Sequence, residues 1–121
     1  MNYYSTNRQS PHVNLREAVV KSLAPDSGLY MPERIPVMPP SFFDPIENKS
    51  FQEISYYIAL AFFGEDIDKE ALRQIVYDTL SFDVPLHEVS RDIYSLELYY
   101  GPTLAFKDIG SRFMARLLSY F

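Results

Sequence analysis

The sequence predicts an α+β fold in which helices predominate, and three observations carry that prediction. Stretches at 14–23, 50–63 and 68–80 set apolar residues at helical spacing behind residues suited to capping. Runs at 3–6 and 84–100 are rich in aromatic and β-branched residues and partly alternate, as short strands do. Pro32, Pro36, Pro39 and Pro40 crowd the run at 28–40, between the first and second helical stretches, so that run is expected to be extended.

The elements follow in order. Tyr3–Thr6 reads as a small strand. In the run NLREAVVKSL, Asn14 is placed to cap a helix, and Glu17 three residues on makes a capping-box-like pattern. Leu15, Ala18, Val19 and Leu23 mark its apolar face. Pro25-Asp26-Ser27-Gly28 is turn chemistry. GLYMPERIPVMPP then crosses a surface in extended form. Ser50 and Glu53 form a second capping box, ahead of a helix whose expected face is Phe51, Ile54, Ile58, Ala61 and Phe62, with Gly64 as its stop. Asp68 caps a third helix with the stripe Leu72, Ile75, Val76 and Leu80. The short connection predicts that these two helices pair antiparallel. VPLHEV and DIYSLELYY read as strands, Gly101-Pro102 ends the second, and Ile109, Phe113, Leu117 and Phe121 recur at helical spacing to the end.

Composition excludes several functions. A net charge of −5, with Lys and Arg scattered, argues against a nucleic-acid binder. No apolar run approaches the roughly 20 residues of a membrane span. The N-terminus also lacks a signal-peptide core, so a cytoplasmic protein without a membrane partner is expected. There is no cysteine, and His12 and His87 stand too far apart to make a metal motif, so no metal site is expected. His12 reads as a solvated loop residue and His87 as structural. The chain stops inside its last amphipathic pattern. That suggests a piece of a larger domain, with an apolar helix face that lacks partners and favours a homodimer through the C-terminal segment.

Within YYGPTLAFKDIGSRF, Lys107 sits behind an apolar run at the start of a helix. The positive end of the helix dipole disfavours a cation there by roughly 0.3–1 kcal/mol. With Leu104 and Phe106 as apolar surroundings, burial and dipole together favour the neutral amine, the form that attacks carbonyl carbon. Asp108 opposes this by stabilising the charged form. It also stands four residues before Arg112, at pairing distance on a helix. The alternative is a solvated lysine with its stem on apolar surface.

The segment GPTLAFKDIG closely resembles the pyridoxal-phosphate lysine motif of the threonine synthase family, which typically reads His-Gly-Pro-Thr-Leu-Ala-Phe-Lys-Asp-Phe-Gly. It departs at Tyr100, often His in the family, and at Ile109, often Phe. Tyr4-Ser5-Thr6-Asn7-Arg8 resembles the family's Tyr-Ser-Thr-Arg opening. NLREAVVKSLAPDSGLYMPERIP and SFQEISYYIALAFFGEDI are similar to its early segments, in family order. The resemblance implies a helix-rich N-terminal domain over 1–80. After it, at 81–121, come the first strands and lysine-bearing helix of a tryptophan-synthase-β-like (fold type II) pyridoxal-phosphate domain. It implies an enzyme that converts O-phosphohomoserine and water to threonine and phosphate with pyridoxal 5'-phosphate. Lys107 is the residue that holds the cofactor and shuttles protons, and Ser5, Thr6 and Arg8 are candidates for contact with the anionic substrate, the alternative being a surface strand end. The family's Gly-rich phosphate loop lies farther along its chain and has no counterpart here. The 121 residues alone are therefore expected to bind no pyridoxal phosphate and to be inactive, or to act as a non-catalytic folding or oligomerisation domain.

Overall fold

In the computed structural model, which describes residues 1–121, strand β1 (Asn2–Ser5) is the centre of a small antiparallel sheet. Its neighbours are β2 (Val13–Asn14) and β3 (Tyr30–Pro32), with Tyr3 opposite Val13 on one side and Pro32 on the other. Alternation turns Tyr3 and Ser5 inward. Helix α1 (Leu15–Lys21) leaves directly from β2, so Asn14 both ends the strand and caps the helix, its Oδ1 accepting from the Glu17 amide at 2.9 Å. The reciprocal half of the capping box is missing, because the Glu17 carboxylate pairs with Lys21 one turn on. Leu15, Ala18 and Val19 are buried. Ser22, at φ 62°, ends the helix before the expected face is complete, and Leu23 is left half exposed.

The proline-rich stretch stays extended except for one helical turn, α2 (Pro40–Phe43). A proline in the first position fits there, because that N–H has no helical partner to lose. Phe42 of this turn packs edge-on against Tyr57 of α3 (Phe51–Phe63). Both bonds of the Ser50–Glu53 capping box form, at 3.2 and 2.7 Å. The face of α3 differs from the expected one. Tyr56, Ala59, Leu60 and Phe63 meet the core, while Phe51 and Ile58 stay about two-fifths exposed. Apolar residues surround nearly the whole helix, so periodicity alone does not choose a side. Its neighbour α4 (Lys69–Thr79) does, through a single buried stripe of Leu72, Ile75, Val76 and Thr79. Asp68 caps α4, accepting from the Glu70 and Ala71 amides.

Strands β4 (Leu86–Ser90) and β5 (Ile93–Leu96) form an antiparallel hairpin with an irregularity at Glu88–Ser90. Every residue of both strands is exposed, so the alternation in the sequence has no covered face to match. Helix α5 (Lys107–Tyr120) then returns to the first eighty residues. Leu117 joins one core with Leu15, Leu72 and Val76, and Ile109, Phe113 and Phe121 pack around it. The expectation of an unpartnered face is therefore corrected: the inner stripe of α5 is buried within its own chain, and only the outer stripe of Phe106, Met114 and Leu118 is open. The expected Asp108–Arg112 pair does not form either. Arg112 reaches the carbonyl of Asp78 at 2.6 Å and Ser81 Oγ at 3.0 Å, and Arg116 pairs with the Asp78 carboxylate at 3.0 Å. Both cations thus serve the C-terminal end of α4, where the helix dipole favours positive charge.

Candidate functional site

The loop before α5 is closed from below by an aspartate. Phe106, at the cap position, offers no side-chain hydrogen bond. Asp108 reaches back instead. One carboxylate oxygen accepts from the Thr103 amide and the other from the Thr103 hydroxyl, both at 2.8 Å. The Leu104 amide donates to the Gly101 carbonyl at 3.0 Å, and Leu104 takes a left-handed φ of 55° to complete the turn. A side chain at Gly101 would put its Cβ 2.5 Å from the Asp108 carboxylate and 2.7 Å from its Cβ, so only glycine lets the two approach. Asp108 is only 4% exposed. Burial pushes its carboxyl up, but the hydrogen bonds from the Thr103 hydroxyl, the Thr103 amide and the Ala105 region outweigh it and hold the carboxyl below the usual carboxylate range.

Lys107 is the first residue of α5, and its amine makes no ion pair or hydrogen bond within the chain. It borders an open cavity of about 710 Å³ with Leu98, Phe106, Ser111, Met114 and Leu118. The apolar neighbours do not bury it as expected. Leu104 and Phe106 are themselves about three-quarters exposed, because the loop turns them away from the core. Beside this cavity, at the end of the hairpin, Tyr99 and Tyr100 stack with centroids 5.1 Å apart. Glu97 accepts from the Tyr100 hydroxyl at 2.8 Å, and its interaction with the Tyr99 hydroxyl pushes that phenol up to about 12.

The other candidates lie at the N-terminal sheet. Ser5 is fully buried; its hydroxyl donates to Asp26 Oδ1 at 2.6 Å and accepts from the Asn7 amide. Thr6 Oγ1 accepts from the Leu29 amide at 2.9 Å. Asp26 also accepts from the Gly28 and Gln9 amides, and the Ser5 hydroxyl first among these donors holds its carboxyl down at about 2 against the cost of desolvation. Ser5 and Thr6 are thus committed to the turn. Arg8 alone presents its charge to an open space, a cavity of about 290 Å³ shared with Tyr4, Ser10, His12 and Glu33. Its guanidinium lies 5.6 Å from the centre of the Tyr4 ring and within ion-pair reach of no carboxylate. This cavity and that of Lys107 share no lining residue.

The family model described as "Threonine synthase N terminus" matches residues 2–80. The chain belongs to the threonine synthase N-terminus family. Similarity runs past that stretch and takes in the lysine loop. The threonine synthase of Escherichia coli K12 is 35% identical over 99% of this chain, and that of Schizosaccharomyces pombe is 33% identical over all of it. The crystal structure of threonine synthase from Escherichia coli superposes with a TM-score of 0.91 at 35% identity, covering 99% of this chain. A structure titled as PLP-bound threonine synthase, from Brucella melitensis, gives the same TM-score at 30% identity over 99% of this chain. The chain spans 28% of the length of the Escherichia coli relative, 25% of the Schizosaccharomyces pombe one and 27% of the Brucella chain. The mixed α/β fold expected from the sequence is therefore that of the corresponding region in this family.

Sequence reasoning overlooked the part played by Asp108 as the partner of Thr103 and Gly101. The signal was present: a threonine five residues before an aspartate, with glycine two before the threonine, lets a carboxylate close its own loop. A helical i, i+4 reading of Asp108 and Arg112 concealed it.

Proposed function

We propose that this chain supplies the N-terminal part of a threonine synthase, an enzyme that converts O-phosphohomoserine and water to threonine and phosphate with pyridoxal 5'-phosphate. The supporting observation is Lys107: within the family's lysine motif, it is an unpaired amine at the edge of an open cavity. The residues present fit the cofactor. A primary amine suits its aldehyde, Ser111 offers a hydroxyl in the same cavity, and nothing stands within 4 Å of where a Cβ on Gly110 would be. When bound, pyridoxal phosphate supplies an electron sink for a carbanion on the substrate. Lys107 holds that group covalently through Nζ and, when released, carries protons at that same atom. In this reading residues 1–80 are the N-terminal domain and 81–121 the opening of a fold type II cofactor domain, whose helix α5 packs back on the former. Arg8 meets an anionic group of the substrate, and Ser5 and Thr6 hold the turn from which it projects. The site is cytoplasmic in this reading.

A chimera tests the proposal. Residues 1–121 replace the matching stretch of the Escherichia coli enzyme, and growth without threonine is scored in a strain lacking its own. Growth is expected, and Lys107→Ala abolishes it; a chimera that supports growth with Lys107→Ala overturns the role given to Lys107. The 121-residue chain alone is expected to release no phosphate from O-phosphohomoserine. Its open C-terminal surface, Leu86 to Leu118, is proposed to pair two copies in isolation, which light scattering reads directly.

A further inference from the structure

We propose that Asp108 is the positioning residue for Lys107, acting through the Thr103 backbone and hydroxyl to fix the loop that delivers the amine to its cavity. This rests on the reading of Lys107 as the cofactor-holding residue. Three features of the loop are hard to explain if Asp108 is only a first-turn helix residue. An ordinary first-turn aspartate is solvated and offers its charge to the helix end. Asp108 is 4% exposed and spends both carboxylate oxygens on a residue five positions back, which precedes the helix. Gly101 is shaped to it, since any Cβ there would strike the carboxylate and its Cβ. Leu104 is held left-handed, which disfavours a branched side chain, with three-quarters of its surface in water and no packing of its own to compensate.

The geometry has one product. Gly101 to Lys107 becomes a closed loop whose last residue is the lysine. Phe106 contributes no side-chain cap, so Asp108 is the side chain that ties the start of α5 to the loop before it. A lysine side chain has four rotatable bonds, and an amine on a loose helix start samples many places. An amine on a closed loop samples few, and a reaction that needs its nitrogen at one point is favoured by that restriction. Asp108 touches neither the amine nor the cavity; it works through Thr103.

The test compares lysines within one molecule. The purified 121-residue chain is exposed to limiting pyridoxal 5'-phosphate and reduced with borohydride. The amine adds to the aldehyde carbon, a C=N bond forms as water leaves, and hydride with a solvent proton converts it to a stable secondary amine. Mass spectrometry of the digest gives the label at Lys107 against Lys21, Lys49 and Lys69. Lys107 is expected to be labelled several-fold above the others. In Asp108→Asn and in Thr103→Val its share falls to the level of Lys69, while Thr103→Ser, which keeps the hydroxyl, retains the preference. Amide exchange along α5 stays protected in all three variants. A wild-type chain without preference for Lys107 overturns the positioning role, while the cofactor reading stands or falls with the chimera. A preference that survives in Thr103→Val, with that residue's amide newly exchanging, overturns the positioning role and leaves the cofactor reading standing. Lost preference together with lost protection along α5 reduces Asp108 to a helix-stabilising residue and also overturns it.

Discussion

The turn that joins Ser5 to Gly28 and the loop from Gly101 to Asp108 are assembled from the same parts. Each sets a glycine against an aspartate, saturates the carboxylate with a hydroxyl and a backbone amide, and leaves no room for a Cβ. They differ in reach and in burden. Asp26 ties its turn to a strand residue twenty-one positions away and supports the buried side of a sheet. Asp108 closes five residues on themselves and supports an exposed lysine beside open space. The lesson is that turn chemistry by itself does not separate a structural device from a functional one. What the turn presents to solvent does.

Substitutions at the two glycines break the comparison most directly. Gly28→Ala would overlap Ser5 Oγ and bring a Cβ within 2.9 Å of the Asn7 amide, a backbone atom that cannot step aside. It is expected to lower stability by about 3 kcal/mol, at the upper end for overpacking, measured by urea unfolding. Gly101→Ala meets only side-chain atoms of Asp108 and is expected to cost less, about 2 kcal/mol. Equal losses at the two sites would show that the loop before α5 is as rigid as the sheet.

Acid sharpens the comparison further. The carboxyl of Asp26 is held at about 2 in the folded chain against about 3.9 in an unfolded one. Its folded value is the lower, so its contribution is fully present above pH 4 and is lost as pH falls toward 2. Asp108 is also held low and loses its contribution in the same direction. Urea midpoints followed from neutral pH downward should decline over that window. Ser5→Ala removes the first support of the low Asp26 value, so the decline should be smaller and should end at a higher pH. An unchanged acid profile in that variant would refute the account of Asp26. The smallest effect is expected at Leu104→Gly. Relief of the left-handed φ offsets the added freedom of the unfolded chain, and stability should stay within about 0.5 kcal/mol of the parent in a thermal melt.

Much of the fold could be read before any coordinates. The caps at Asn14, Ser50 and Asp68 fall where side-chain oxygens precede helical patterns, because capping is a local contest that neighbouring residues decide. The inner stripe of α5 was legible for the same reason. The face of α3 was not, since a helix apolar on most sides takes its orientation from its partners. The exposed hairpin had the alternation of a half-buried strand pair, and nothing in that pattern says whether a cover lies within the same 121 residues. At the site, the motif carried Lys107 and its placement at a helix start. The burial of Asp108 and the exposure of Phe106 depend on how one loop closes, which spacing does not reveal. Ser5 and Thr6 read as free hydroxyls in sequence because their partners, Asp26 and Leu29, lie some twenty residues away.

The packing of Leu117 against Leu15, Leu72 and Val76 bears on the order in which the molecule comes into being. Synthesis proceeds from the N-terminus, and domains generally fold as units when their last member has emerged. Here a member of that core, Leu117, belongs to the helix that carries the lysine. The hydrophobic centre of the first eighty residues stays incomplete until α5 has left the ribosome. Completion of the core and delivery of Lys107 to its place are then a single event in the life of the chain.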